Sequence, residues 1–240
     1  MASQPSASRR SYWSPGWREV VFVLSATSIW CLLAEFYGLL SMRSFTGCIS
    51  IPCLLLLVVA GAWDRVRGDG LLWTALWVGG IAGFFAAVAY DVFRLPFVFA
   101  RPLGIDAFVP AMNMFKVFPR FGALILGQSL EQPAYSLAAQ LTGWAYHFSN
   151  GVTFGCMYLA ILGTTGRSRW FWGVLLAVGL EAAMLATPYT TYFGIPRTPV
   201  FVGVTLTAHL VFGVVLGETV RRLGLRRSMA GGSLPAAAAR

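Results

Sequence analysis

Six apolar runs, separated by short basic or proline-bearing stretches, decide what this chain can fold into. They lie near Val20 to Leu40, Cys48 to Trp63, Leu71 to Phe93, Leu137 to Leu162, Trp170 to Thr187 and Val200 to Val220. A membrane span needs about 20 mostly apolar residues. Five runs qualify outright; the short second one, with Pro52 near its start, is expected to begin at Phe45. The runs are continuous rather than alternating, so helices, which satisfy their own backbone groups, are the structure that fits lipid.

The expected fold is therefore all-α, a polytopic membrane helix bundle with about six transmembrane helices at 20–40, 45–63, 71–93, 137–162, 170–187 and 200–220. These form a single transmembrane domain over 20–220, with an N-terminal tail (1–19), an outer loop (94–136) and a basic C-terminal tail (221–240). Composition agrees. Apolar residues make up 57% of the chain, charged residues 11%, and the mean hydropathy is +0.68. A soluble domain carries about 25% charged residues, so this chain lacks the polar coating that water requires. A soluble enzyme and a nucleic-acid partner are excluded despite the net charge of +9.

The cations report orientation instead. Arg9, Arg10, Arg18, Arg65, Arg67, Arg167, Arg169, Arg221, Arg222, Arg226, Arg227 and Arg240 fall on the side of both termini. Arg43, Arg94, Arg101, Lys116, Arg120 and Arg197 fall on the other. Twelve against six places both ends in the cytoplasm, with the inner membrane of a bacterium as the expected location. Ser8 to Trp13 resembles a twin-arginine export signal, but the following run contains Glu35 and lacks a small-residue cleavage site, so an uncleaved first span is expected. The four cysteines (Cys31, Cys48, Cys53, Cys156) sit in apolar runs with neither zinc nor disulfide spacing.

Within the outer loop, Pro96, Pro102, Pro110 and Pro119 accompany one apolar piece, Phe121 to Gly127. Seven residues cannot cross, and Lys116 and Arg120 would burden any longer span. An interfacial or re-entrant segment on the outer side, a candidate lid or partner surface, is expected.

The most specific pattern is His-x3-Gly-x3-Gly, occurring as His147, Gly151, Gly155 and as His209, Gly213, Gly217. These are the chain's two histidines. The preceding spans carry Gly83-Phe-Phe-Ala-Ala and Gly179-Leu-Glu-Ala-Ala, which suggests that the second half is built from two duplicated hairpins. In that alignment the glycine-to-histidine offset is 64 residues in one copy (147 minus 83) and 30 in the other (209 minus 179). The long outer loop accounts for the excess. Residues four apart share a helical face, so each histidine lies beside glycines that suit helix packing, as Gly79 and Gly83 do in the third span.

Three carboxylates fall inside apolar runs: Glu35, Asp91 and Glu181. Counting about 1.5 Å per residue, Glu181 and His209 each lie about 18 Å from the cytoplasmic edge, His147 about 24 Å and Asp91 about 31 Å. Glu181, His147 and His209 are therefore the candidate binding residues for an ion, a proton or a cofactor. Asp91 is expected in a separate outer-side cluster with Arg94, its i, i+3 neighbour, and Glu35. In the glycine alignment Glu181 corresponds to Phe85, so the acids are not duplicated, which counts against a di-iron bundle.

Four functional classes remain. A non-catalytic packing or assembly subunit comes first, its aromatic belt (Trp73, Trp77, Trp170, Trp172) facing lipid, a membrane-protein complex or a second copy. Proton- or cation-coupled transport through the His/Glu site is the second. Binding of haem b or a metal ion by His147 and His209 is the third. An enzyme acting on lipid comes last, since no serine elbow, paired-acid motif or nucleotide loop is visible.

Overall fold

The computed structural model describes residues 10–231, with side chains through Arg226. The tail residues 1–9 and 232–240, including Arg9 of the arginine pair and Arg240, lie outside the described residues. In chain order the α-helices are α1 (Pro15–Ser25), α2 (Thr27–Phe36), α3 (Met42–Phe45), α4 (Ile51–Arg67), α5 (Leu71–Val98), α6 (Val117–Ile125), α7 (Leu137–Leu162), α8 (Trp170–Ala186), α9 (Tyr189–Tyr192) and α10 (Pro199–Gly231).

By length and composition three stretches are able to cross a membrane: Met42–Arg67, Leu71–Val98 and Pro199–Arg226. The first runs through α3, a π-helical turn at Thr46–Ser50 and α4. Pro52 has no N–H to give, and the wider turn just before it accommodates the missing bond. The expected first span is instead two helices bent by 47° at Ala26, which together make a fourth candidate crossing. Small and hydroxyl residues, Ser25 to Ser28, occupy the break, and the Tyr146 hydroxyl donates to the Ser28 carbonyl there at 3.0 Å. α8 is apolar but only 17 residues long. α7 has 26 residues and carries Gln140, His147, Ser149 and Asn150 along its length.

α7 is the central strut, with α1, α5 and α6 packed around it, while α10 packs on α5 and carries α8 on its other side. Its crossing with α5 is a backbone contact. A Cβ on Gly83 would strike the Gly151 carbonyl, one on Gly155 would strike Gly79, and one on Gly151 would come within 2.7 Å of Ala87 Cβ. α8 and α10 repeat this: a Cβ on Gly173 would strike Gly213, and one on Gly217 would approach Trp170 Cα at 2.8 Å. Small residues allow such approach, and close packing is what holds helices together in lipid.

The segment expected to be interfacial or re-entrant packs closely against the rest of the protein. α6 buries Val117, Phe118, Phe121, Gly122 and Ala123, and a Cβ on Gly122 or Gly143 would collide with the backbone of the opposite helix, α7 or α6 respectively. The amphipathic pattern is the same for a lipid face and a helix face, so sequence alone could not separate them. At the other end of α7, Gly163 adopts φ 76° as a left-handed cap. Arg18 donates to the Ala160 and Ile161 carbonyls, both at 2.9 Å, and the Trp13 indole donates to Gly163 O at 2.7 Å. These donors satisfy last-turn carbonyls that the helix leaves free.

One apolar core joins α5, α7, α8 and α10 (Ala82, Ala86, Tyr158, Leu216 among others), and a second, aromatic core joins α2, α3, α6, α7 and the end of α9 (Phe118, Phe121, Tyr146, Phe193). The faces of α4 pointing away from the bundle expose Leu55, Leu56, Val58, Val59 and Trp63, as a lipid-facing helix does.

Candidate functional site

Eight residues beyond the crossing at Gly83, α5 presents Asp91; four residues before Gly151, α7 presents His147. His147 Nε2 lies 2.8 Å from Asp91 Oδ2. On an antiparallel pair the side chains lean in opposite directions, each toward its own helix N-terminus, which closes an axial offset of about 6 Å at 1.5 Å per residue. This corrects the depth estimate. Levels counted from the helix ends separate Asp91 from His147, but the shared crossing and the opposed lean bring them together.

The second hairpin has the same construction. Glu181 is eight residues beyond Gly173, and His209 is four before Gly213. Glu181 Oε2 lies 3.3 Å from His209 Nδ1. Thr205 completes the cluster, its hydroxyl donating to Glu181 Oε1 at 2.6 Å while its carbonyl lies 2.9 Å from His209 Nδ1. A carbonyl only accepts, so Nδ1 carries a hydrogen, and His209 Nε2 is left without a hydrogen-bond partner among the described residues.

Gly179, aligned with Gly83 by sequence similarity, meets nothing within 4 Å. Gly173 occupies the contact that Gly83 makes in the first hairpin. In that register Asp91 matches Glu181, an offset of 90 residues (181 minus 91), so both hairpins carry an acid facing a histidine. The alignment on Gly179 sets Glu181 against Phe85 instead, so the two acids correspond in the contact register and not in the sequence one. In the contact register position 94, an arginine, corresponds to position 184, a methionine.

Arg94 makes the first pair a triad. It reaches Asp91 Oδ1 at 3.3 Å, donates to the Met114 carbonyl, and lies over the rings of Tyr90 (4.6 Å), Phe115 (4.9 Å) and Phe118 (5.4 Å). It is 4% exposed. Phe118 stacks on His147 at 4.2 Å between centroids, so α6 closes one side of this histidine.

Both histidines line one cavity of about 280 Å³, together with Arg94, Lys116, Asn150 and Glu181. Tyr90 touches both imidazoles, with ring centroids 6.0 Å from His147 and 4.9 Å from His209. Most of the remaining wall is apolar or aromatic, including Phe121, Phe154 and Phe212. The site thus gathers His147, Glu181 and His209 as the sequence suggests, and adds Tyr90, Asp91, Arg94 and Thr205.

Glu35 stands apart from Asp91 and Arg94. It accepts from the Tyr192 hydroxyl and the Met42 backbone N–H, both at 2.5 Å, tying α2 to α9 and α3. The expected three-residue outer cluster therefore splits in two.

A ring cofactor fits this arrangement poorly. The glycines four residues after each histidine are filled by an opposing backbone, Gly143 faces α6, and Thr205 is bonded to Glu181. Among the described residues no group of three or more His, Cys, Asp or Glu is placed to hold a metal ion. The four cysteines are free, with Cys31 and Cys156 buried.

Comparison with known proteins identifies no relative: no family model, curated protein or solved structure matches this chain.

Proposed function

We propose that this membrane-embedded helical protein is a proton-coupled transporter of a small solute, with the six-span topology and cytoplasmic termini expected from its sequence. The observation that carries this reading is that two histidines, each facing a carboxylate, line one cavity inside the bundle. Burying ionisable groups in lipid is expensive and adds little to stability, so a subunit that only packs gains nothing from five of them (Asp91, Arg94, His147, Glu181, His209). Imidazole exchanges protons near neutral pH, and a carboxylate beside it stabilises the charged form. The glycine crossings at Gly79–Gly155 and Gly173–Gly213 close the bundle on the cytoplasmic side of this topology, as one state of an alternating cycle would require.

Reconstituted vesicles with a trapped pH dye test the reading. An imposed proton gradient is expected to dissipate faster than in protein-free vesicles once one of a panel of small solutes (amino acids, sugars, organic cations) is supplied, with the rate falling at least tenfold in His209→Ala and Glu181→Gln. Folded, inserted protein that leaves the gradient as protein-free vesicles do would overturn it. If such protein instead co-purifies in a stoichiometric complex, the assembly reading replaces transport.

A further inference from the structure

The two acid–histidine pairs are built alike and charged differently. Asp91 is balanced by Arg94, so with His147 neutral the first cluster carries no net charge. Among the described residues Glu181 has only the Thr205 hydroxyl and His209 as hydrogen-bond or ion-pair partners. At the position that corresponds to Arg94 stands Met184, which lines the cavity. With His209 neutral the second cluster is therefore one negative charge, 5% exposed, in a mostly apolar wall. Such a charge requires one positive partner.

We propose that the Glu181–Thr205–His209 cluster is the binding site for a lipophilic organic cation, an ammonium-like head with apolar substituents, which exchanges against a proton on the same pair. This rests on the transport reading and names its substrate class. In the proton-loaded state His209 holds a second proton and balances Glu181. When the cation enters, its charge lies against Glu181, the proton leaves His209, and the cluster stays neutral: one cation bound, one proton released.

The surroundings suit that ligand. Phe154 and Phe212 put further aromatic rings in the cavity wall, and the apolar lining suits the cation's substituents. His209 Nε2, free of any partner among the described residues, is where the exchanged proton would sit.

The other charged and titratable groups are already engaged or lie far off. From α5, Arg94 is held by Asp91 and three rings, and Tyr90 contacts both imidazoles. From α7, His147 is held by Asp91 and stacked under Phe118. Lys116 donates to the Gly194 carbonyl, and from α9 Tyr189 packs against Phe36 and Phe193. Arg169 precedes Glu181 by twelve residues, about 18 Å along α8.

Tetraphenylphosphonium binding to the detergent-purified full chain, followed by calorimetry in two buffers of different ionisation heat, tests this. Saturable binding is expected, with one proton released per cation and a Kd that rises about tenfold per pH unit on the acid side. Glu181→Gln should weaken binding at least tenfold. Met184→Arg, which places in the second hairpin the cation that the first already has, should do the same and abolish proton release. Binding that survives both variants, occurs without proton release, or is absent in folded wild-type protein overturns the proposal. Proton flux without tetraphenylphosphonium binding removes the substrate class and leaves transport standing; binding with proton release but no flux removes transport and leaves the site.

Discussion

His147 and Asp91 meet at 2.8 Å although 56 residues of chain separate them, and Asp91 simultaneously balances Arg94 at 3.3 Å. Removing that carboxylate leaves a guanidinium 4% exposed with no counter-charge. Asp91→Asn is therefore expected to cost about 3–5 kcal/mol, the usual effect of breaking a buried ion pair from one side. Adding Arg94→Met should recover more than half of the loss, because the unpaired charge is then gone. Thermal midpoints of the two variants in one detergent measure this; a double variant no more stable than Asp91→Asn alone would contradict the charge balance.

The glycine register makes an equally sharp contrast. Gly83→Leu drives a side chain into the Gly151 carbonyl and is expected to destabilise the bundle by about 1–3 kcal/mol or more. Gly179→Ala, at a position open to at least 4 Å, should be neutral or stabilise α8 by up to about 1 kcal/mol. The Gly179 result also discriminates between the two ways of aligning the hairpins, since an alignment on Gly179 predicts that both substitutions harm the fold.

Between α9 and α2, the Tyr192 phenol donates to Glu35, and burial together with that carboxylate pushes its pKa above the ordinary value. A raised folded pKa contributes stability that is fully present below the unfolded value, about 10, and is lost as the pH climbs through the folded value. Tyr192→Phe is thus expected to cost about 1.5–3 kcal/mol, as for a hydrogen bond to a charged group. The difference from wild type should hold constant from about pH 6 to pH 9 and shrink above about pH 10. Denaturation midpoints at three pH values check it; a gap that changes between pH 6 and 9 would mean that another group controls this contact.

Much of the architecture was open to a reader of residues alone, and the reason is that lipid is an unforgiving solvent. With 11% charged residues the chain had to be a membrane bundle, and the limits of α7, 137–162, coincide with its apolar run. The spacing of four between histidine and glycine placed both on one helical face, so the importance of the two hairpins was also visible.

Partner choice was different, because it depends on which backbones touch and how side chains lean from antiparallel helices. Neither is encoded in spacing along one helix. The resemblance between Gly83-Phe-Phe-Ala-Ala and Gly179-Leu-Glu-Ala-Ala concealed the register in which Gly173 replaces Gly83 and Asp91 answers to Glu181. The break at Ala26 and the docking of α6 onto Gly143 likewise follow from contacts with α7, a helix that begins more than a hundred residues after the first and twelve after the end of the second. Helical faces were thus set by local periodicity, while the charge balance that distinguishes Asp91 from Glu181 came from packing in three dimensions.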